Sequence, residues 1–448
     1  MIQNPQSTTL TDHVQSIIQS IPSEEIIQKP VRRHDLDWLR VILFALLIWF
    51  HYSAFSLGQI EGSAWDLPLF FVIGVMHQWR LAALFLISGM GTAFALKRRN
   101  GRTYLKERAT RLGIPLLFGV YILFLGIFEP ISSTIRLFTI FPGSDEMPYG
   151  HLWFIYNLLI YSVILSPIFL MVKNKPDGII MRGVRGLLNI PFGLGILLAP
   201  PLILAANGIL FKPWRFGEVG MWWEFTRYML YFLFGYLLIS AKENYFTVLD
   251  RIRIPLTIMV PIFSITWFII NESSEVPGIM EGGWVQRGYP AFSRIAIIAS
   301  IVQSFHAWSW CMLIFSWASK LLNRPSSSLV YLNEAVYPTY VVHMHLTFLP
   351  IAIFGAIGLN YYIGMVLGTI IVTSGVMICF EIIRRTRFAR PLFGIRGGKD
   401  QVNTIWPFNE IKKPELRIGF SIVMHFVAFG MVIGLLLFLI ISGFIGEL

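Results

Sequence analysis

Charge is what this 448-residue chain has least of. Asp, Glu, Lys and Arg make up only 14% of it, against about 25% in soluble domains. A water-soluble enzyme needs a charged skin, so the shortage excludes one. Cysteine is nearly missing as well. Cys311 and Cys379 are the only two, both inside apolar blocks and far from a second thiol at ligand spacing, which excludes a disulfide framework and a zinc site. The first thirty residues lack a basic start followed by an apolar run, so they do not read as a secretory signal. They are polar, rich in Ser and Gln, and are expected to form a cytoplasmic tail. No internal repeat and no low-complexity tract is visible, which weakens the case for a transporter assembled from inverted halves.

What the chain has in abundance is apolar sequence, 55% of all residues, gathered into long blocks. The blocks lie near Trp38–Leu57, Leu69–Leu96, Ile114–Ile131, His151–Val172, Leu188–Ala206, Phe225–Ser240, Ile254–Asn271, Ser293–Ala318, Leu329–Phe354, Ile357–Ile383 and Ile418–Gly443. Most approach or exceed the ~20 residues that cross a bilayer, and Phe225–Ser240 is the shortest. The expected fold is therefore all-α: a polytopic transmembrane helix bundle of about eleven spans. With the N-terminus in the cytoplasm, twenty-nine of the 36 Lys and Arg fall in inner segments and four in outer ones. Positive charge resists translocation, so this alternation fixes the orientation. It also accounts for the net charge of +11 without a nucleic-acid partner.

Ionisable residues inside the spans cost ~2.5 to 3.5 kcal/mol each even on the lenient insertion scale, and they mark candidate function. His51 lies 13 residues past Trp38 and His343 14 residues past Leu329 in a helix of the same direction, so both imidazoles fall at similar depth, about 20 Å from the inner face. His151, on the outer lip of the fourth span, can join them from above. Each has a bland alternative: a neutral imidazole bonded to a neighbouring helix, or, for His151, an interfacial residue beside Trp153. For His345 and His425 the structural reading is preferred, and Arg227 and Arg294 are read as snorkelling from span ends. His77 and Arg80 share a helix face at i, i+3, and a deep cation beside a histidine suits an anionic ligand. In the loop from Lys97 to Arg111, ordinary positive-inside charge explains most residues. Arg108 and Arg111 differ, because a helix begun by then places both guanidiniums on one face, able to fork two phosphates. Asp37 and Arg40, also i, i+3, are read as a pair at the inner mouth of the first helix, with lining of an entry route as the alternative.

Taken in order, Leu36-Asp37-Trp38-Leu39-Arg40 with His51, Leu86-Ile87-Ser88-Gly89, Arg108-Ala109-Thr110-Arg111 with Pro115, and Tyr337-Pro338-Thr339-Tyr340-Val341-Val342-His343 resemble the acyltransferase family 3 membrane proteins. Met76-His77-Gln78-Trp79-Arg80 and Gly150-His151-Leu152-Trp153-Phe154 look most like its branch that modifies periplasmic glucans with succinyl groups. The resemblance covers roughly His34 to Ile383. It divides the chain into a polar tail (1–33), a ten-helix acyltransferase domain (34–383), a basic cytoplasmic connector (384–417) and an additional C-terminal helix (418–448).

The resemblance implies transfer of a succinyl or acetyl group from cytosolic acyl-CoA to a hydroxyl of an extracytoplasmic carbohydrate, in the inner (plasma) membrane. By position, His51 matches the family's first-helix histidine and Arg108 and Arg111 its arginine pair. The chemistry suits these assignments. A sugar hydroxyl is a poor nucleophile and needs a base near pKa 7, for which His51 is the candidate. Arg108 and Arg111, with Arg40 near the mouth, suit the donor's phosphates. A pantetheine arm of ~15 to 20 Å then spans the distance to His51. His77 and Arg80 are candidates for a carboxylate on the acyl group. Tyr340 and His343 are candidates to orient the acceptor or polarise the carbonyl, and His151 and Tyr337 are grouped with the substrate-binding residues. The implied partners are the lipid bilayer, the acyl-CoA donor and a carbohydrate or glycolipid acceptor, with no metal; a homodimer is compatible. Two other classes stay open on the sequence: a transporter or flippase for an anionic sugar or lipid, and a non-catalytic assembly subunit.

Overall fold

The computed structural model describes residues 32–56, 66–124, 150–211, 222–273, 292–386 and 388–395. Among these every regular element is helical, as a lipid-embedded chain demands, since helices satisfy their own backbone groups. In chain order α1 is His34–Phe55 and α2 Asp66–Lys97. α3 starts as Gly101–Arg108 and continues through Ala109–Gly113, Ile114–Phe118 and Gly119–Phe124. α4 is Trp153–Ile164, α5 Ser166–Asn174, α6 Ile179–Leu188, α7 Leu194–Phe211, α8 Trp222–Ser240 and α9 Lys242–Ser273. α10 is Arg294–Leu321, α11 Ser327–Ala356, α12 Tyr361–Arg385 and α13 Ala389–Leu392.

Seven of the described helices are long and apolar enough to cross a membrane, or eight if the bent pair α4 and α5 is one span. The protein is thus multi-pass. The expected fourth span, His151–Val172, is not one straight rod: it bends by 52° at Leu165, just ahead of Ser166 and Pro167, where proline cannot continue the backbone ladder. The expected Phe225–Ser240 span corresponds to α8, which is not among the seven. Expected span Ile114–Ile131 is described only as far as Phe124, and the tail, most of the connector, Ile418–Gly443 and His425 lie outside the described residues. The last span of the core begins at Tyr361, four residues later than its apolar run. Gly358 at φ +65° turns the chain there, and Asn360 caps α12 by accepting from the Tyr362 and Ile363 amides.

Packing sorts the helices into a centre and a rim. α9 shows lipid a stripe of Ile254, Ile258, Ile262, Ile265 and Ile269, each more than half exposed, while its opposite face packs on α10. α2 and α8 are central and nearly touch. A Cβ at Gly89 would collide with the Phe232 carbonyl, and one at Gly235 with the Leu86 carbonyl, so reciprocal glycines bring the two backbones together. This gives the Ser88-Gly89 pair a structural meaning: Gly89 is contact surface. α1 packs against α11 and α12, with the Tyr52 ring on Gly368. Its start is tied to the beginning of α9 and the end of α10. Arg33 pairs with the buried Asp35 at 2.7 Å, donates to Ser319 at 2.8 Å and lies over the Phe246 ring, and the His34 amide donates to Asn323.

Candidate active site

α1 and α11 run side by side, and similar depth in sequence becomes contact in space: His51 Nδ1 lies 3.0 Å from His343 Nε2, with the rings nearly parallel at 5.1 Å. The hydrogen positions follow from the far end of the chain. His343 Nδ1 is 2.7 Å from the Tyr340 carbonyl, which can only accept, so Nδ1 carries the hydrogen. Nε2 of His343 is then a lone pair and accepts from His51 Nδ1–H. The lone pair of His51 is left on Nε2, and His51, only half-buried, offers it to whatever enters. Two neutral imidazoles thus orient one basic nitrogen.

His151 closes the cluster from the turn Gly150–Leu152, just ahead of α4. It donates Nε2–H toward the Tyr340 and Val341 carbonyls at 3.1 and 3.3 Å, and its ring stands edge-on to His343 at 5.0 Å. Tyr340 donates its hydroxyl to the His151 carbonyl. His345 stands farther off, its ring 6.1 Å from that of His151.

On the other side of His51, Phe50 joins the two cations-in-waiting of α2. The His77 ring stacks on it at 5.6 Å, and the Arg80 guanidinium lies 3.7 Å over its face. Arg80 is 1% exposed, and its Nε and Nη1 have no hydrogen-bond partner among the described residues, nor does Nδ1 of His77. A buried guanidinium with open donors is costly unless an anion fills them. Arg227 corrects the expectation of a snorkelling residue. It is 5% exposed, donates to the Gln78 carbonyl at 3.3 Å, and sits in the polar seam where Gln303 bonds Gln78 at 2.6 Å. Arg294 does lie exposed at the start of α10.

The third group is at the end of the bundle where α1 and α3 begin. Asn100 caps α3 by accepting from the Thr103 amide at 2.8 Å, so the helix has begun before Arg108, as the spacing required. It does not stay α-helical. Ala109–Gly113 is a π turn, which takes more residues per revolution and spoils the simple i, i+3 alignment. Arg108 turns into the bundle, donating to Thr92 at 2.9 Å beside the Tyr104 ring, while Arg111 is exposed. Both stay within electrostatic reach of the Tyr337 hydroxyl, Arg108 from inside the bundle and Arg111 from its surface. Arg40 joins them from α1. It pairs with Asp37 at 3.6 Å, donates to Asn333 at 3.2 Å and lies within electrostatic reach of Arg108.

One face of α11 links the two ends. Asn333 holds Arg40 and Asp37. One turn up, the buried Tyr337 hydroxyl has no hydrogen-bond partner among the described residues and lies within electrostatic reach of both Arg108 and Arg111. Tyr340 and His343 follow. Ten residues from Asn333 to His343 rise ~15 Å, which matches the pantetheine arm expected above. Sequence reasoning missed Asn333, Thr92, Tyr104 and Phe50, ordinary residues for helix interiors. Only their neighbours in space give them work. Among the described residues no group of three or more His, Cys, Asp or Glu is arranged to hold a metal ion.

The family described as an acyltransferase domain matches residues 33–383 of the chain. The glucans biosynthesis protein C of Escherichia coli (strain K12) is 22% identical over 397 residues, covering 81% of this chain and 94% of that protein. The glucans biosynthesis protein C of Salmonella agona (strain SL483) is 23% identical over 401 residues, with the same coverage. No solved structure matches.

Proposed function

The chain belongs to this acyltransferase family, and from that premise we propose that it carries a succinyl or acetyl group from cytosolic acyl-CoA to a hydroxyl of an extracytoplasmic carbohydrate such as a glucan, at the inner (plasma) membrane. The observation that carries this reading is the oriented pair His51 and His343, one helix face away from a cluster of arginines.

The phosphates of the donor are held by Arg40, Arg108 and Arg111. The thioester arm lies along Tyr337 and Tyr340. At its tip the acceptor oxygen attacks the thioester carbonyl carbon while His51 Nε2 takes its proton. The imidazolium charge is shared through Nδ1–H with His343. As the tetrahedral adduct collapses, the C–S bond breaks, and the departing sulfur takes the proton back from His51. The ester product and free thiol leave the imidazoles as they began. Arg80 and His77 receive the free carboxylate of a succinyl group, which accounts for the open, buried donors of Arg80.

The same open guanidinium favours a second reading, passage of an anionic sugar or lipid through the bundle. The two part on acyl-CoA: a transporter moves its substrate without consuming it. The test is the purified protein in liposomes with acyl-CoA and a glucan acceptor, read by thiol release and by mass analysis of the glucan. Stoichiometric thiol and ester that vanish in His51→Ala support the transferase. Substrate movement with no thiol release defeats it.

A further inference from the structure

Two buried side chains beside His343 are occupied with one another. Tyr340 donates its hydroxyl to the His151 carbonyl, and His151 returns Nε2–H to the carbonyl of Tyr340. The loop closes between the turn Gly150–Leu152, ahead of α4, and the middle of α11. His151 is 9% and Tyr340 5% exposed. The oxygen that dictates which His343 nitrogen bears hydrogen is therefore itself held from that turn.

We propose that His151 and Tyr340 are positioning residues, a reciprocal latch that keeps the Tyr340 carbonyl against His343, holds His343 in its Nδ1–H tautomer and thereby orients His51. The proposal rests on the reading of His51 as base. The tyrosine hydroxyl and the imidazole Nε2–H are both committed inside the protein, to one another's backbone carbonyls, which makes them a tie between two segments. His343 bonds back to a carbonyl three residues earlier on its own helix, an oxygen that the helix ladder also uses, so that bond competes with the backbone. A donor from another helix and the hydroxyl tie across the gap pin the carbonyl's surroundings. The tautomer matters because reversal of His343 would aim N–H at N–H. His51 would then have to reverse too, placing hydrogen on the very nitrogen that must accept the acceptor's proton.

The test uses the full chain in liposomes, labelled with [15N]histidine, and compares wild type with His151→Gln, His151→Leu and Tyr340→Phe. Gln sets an amide N–H near the place of Nε2–H; Leu removes the donor; Phe removes only the hydroxyl tie. Solid-state nitrogen spectra identify His343 by the signals lost in His343→Gln. Wild type and His151→Gln are expected to hold His343 in the Nδ1–H form, and His151→Leu to show both tautomers. With the same preparations kcat should fall at least about tenfold in His151→Leu, a part of the ~10² to 10⁴ a general base supplies, with KM for donor and acceptor little changed and Gln restoring most of the loss. Tyr340→Phe, the mildest change, should move kcat the same way by less. A raised acceptor KM with kcat intact, or an unaltered His343 tautomer in His151→Leu, overturns the latch. A wild-type tautomer response alongside full activity of His51→Ala removes the base assignment instead, so the two failures are distinguishable.

Discussion

At the mouth of the bundle where α1 begins, four cations meet an acid or a neutral oxygen. Arg33 pairs with Asp35, Arg40 with Asp37 and Asn333, Arg108 with Thr92, and Arg384 with Glu334 at 3.1 Å. Around His51 and His343 the arrangement is different. No acidic side chain is hydrogen-bonded to either among the described residues, and the donors run from imidazole to imidazole to a backbone carbonyl. The mouth holds standing ion pairs, which the proposed function assigns to a polyanionic donor. The interior is apolar, and a standing ion there costs several kcal/mol. Under the proposed function it is neutral at rest and carries a proton only during turnover. Arg80 is the exception, a resting cation at depth with open donors, and for that reason its ligand is the sharpest question about the site.

The largest effect that tests this contrast is at His51. His51→Ala should lower transfer by ~10² to 10⁴ while leaving acyl-CoA binding unchanged, measured as turnover against a binding isotherm on the same liposomes. Loss of binding with normal turnover per bound donor would merge the two regions into one. At the mouth the expectation is opposite. Arg108→Ala with Arg111→Ala should weaken donor binding by roughly 10- to 100-fold, at ~1.5 to 3 kcal/mol for hydrogen bonds to charged groups, with kcat at saturating donor nearly intact. Calorimetric titration with acyl-CoA checks it. Arg80→Ala should cost a succinyl donor about tenfold or more in kcat/KM and an acetyl donor little, by the same magnitude for a charged bond. Equal loss for both donors removes its role as carboxylate anchor. The smallest effect is expected at Thr92→Val, which keeps the shape but takes the oxygen from Arg108. At ~1 kcal/mol for one hydrogen bond, donor KM should rise about fivefold and kcat stay as it is. A fall in kcat instead would show that the mouth reaches into the chemistry.

Much of this was legible before any coordinates. His51 and His343 could be matched in depth because helical rise is constant and both spans run in the same direction, and contact at 3.0 Å is what equal depth permits when α1 and α11 are neighbours. The i, i+3 pairs Asp37 with Arg40 and His77 with Arg80 were readable for the same reason, since spacing along one helix sets a shared face. The π turn in which Arg111 lies was not, because it leaves no mark in composition. Arg227 resembled a snorkelling residue as long as its surroundings were unknown; the α2 carbonyl it bonds is 149 positions away. Gly89 stood out as part of a motif, but its use as a backbone contact depends on Gly235 across the interface.

By itself the sequence determined what depends on distance along the chain: a multi-pass helical protein and the shared level of the His51 and His343 imidazoles. Those follow from rise per residue and from the cost of charge in hydrocarbon, both local. Only the tertiary structure decided which helices are neighbours and how each is turned. That choice made one imidazole the partner of another, committed the Tyr340 carbonyl to both His343 and His151, and left Arg80 buried with open donors. Hydrogen bonds act over about 3 Å and demand direction, so no count of residues along a chain can supply them.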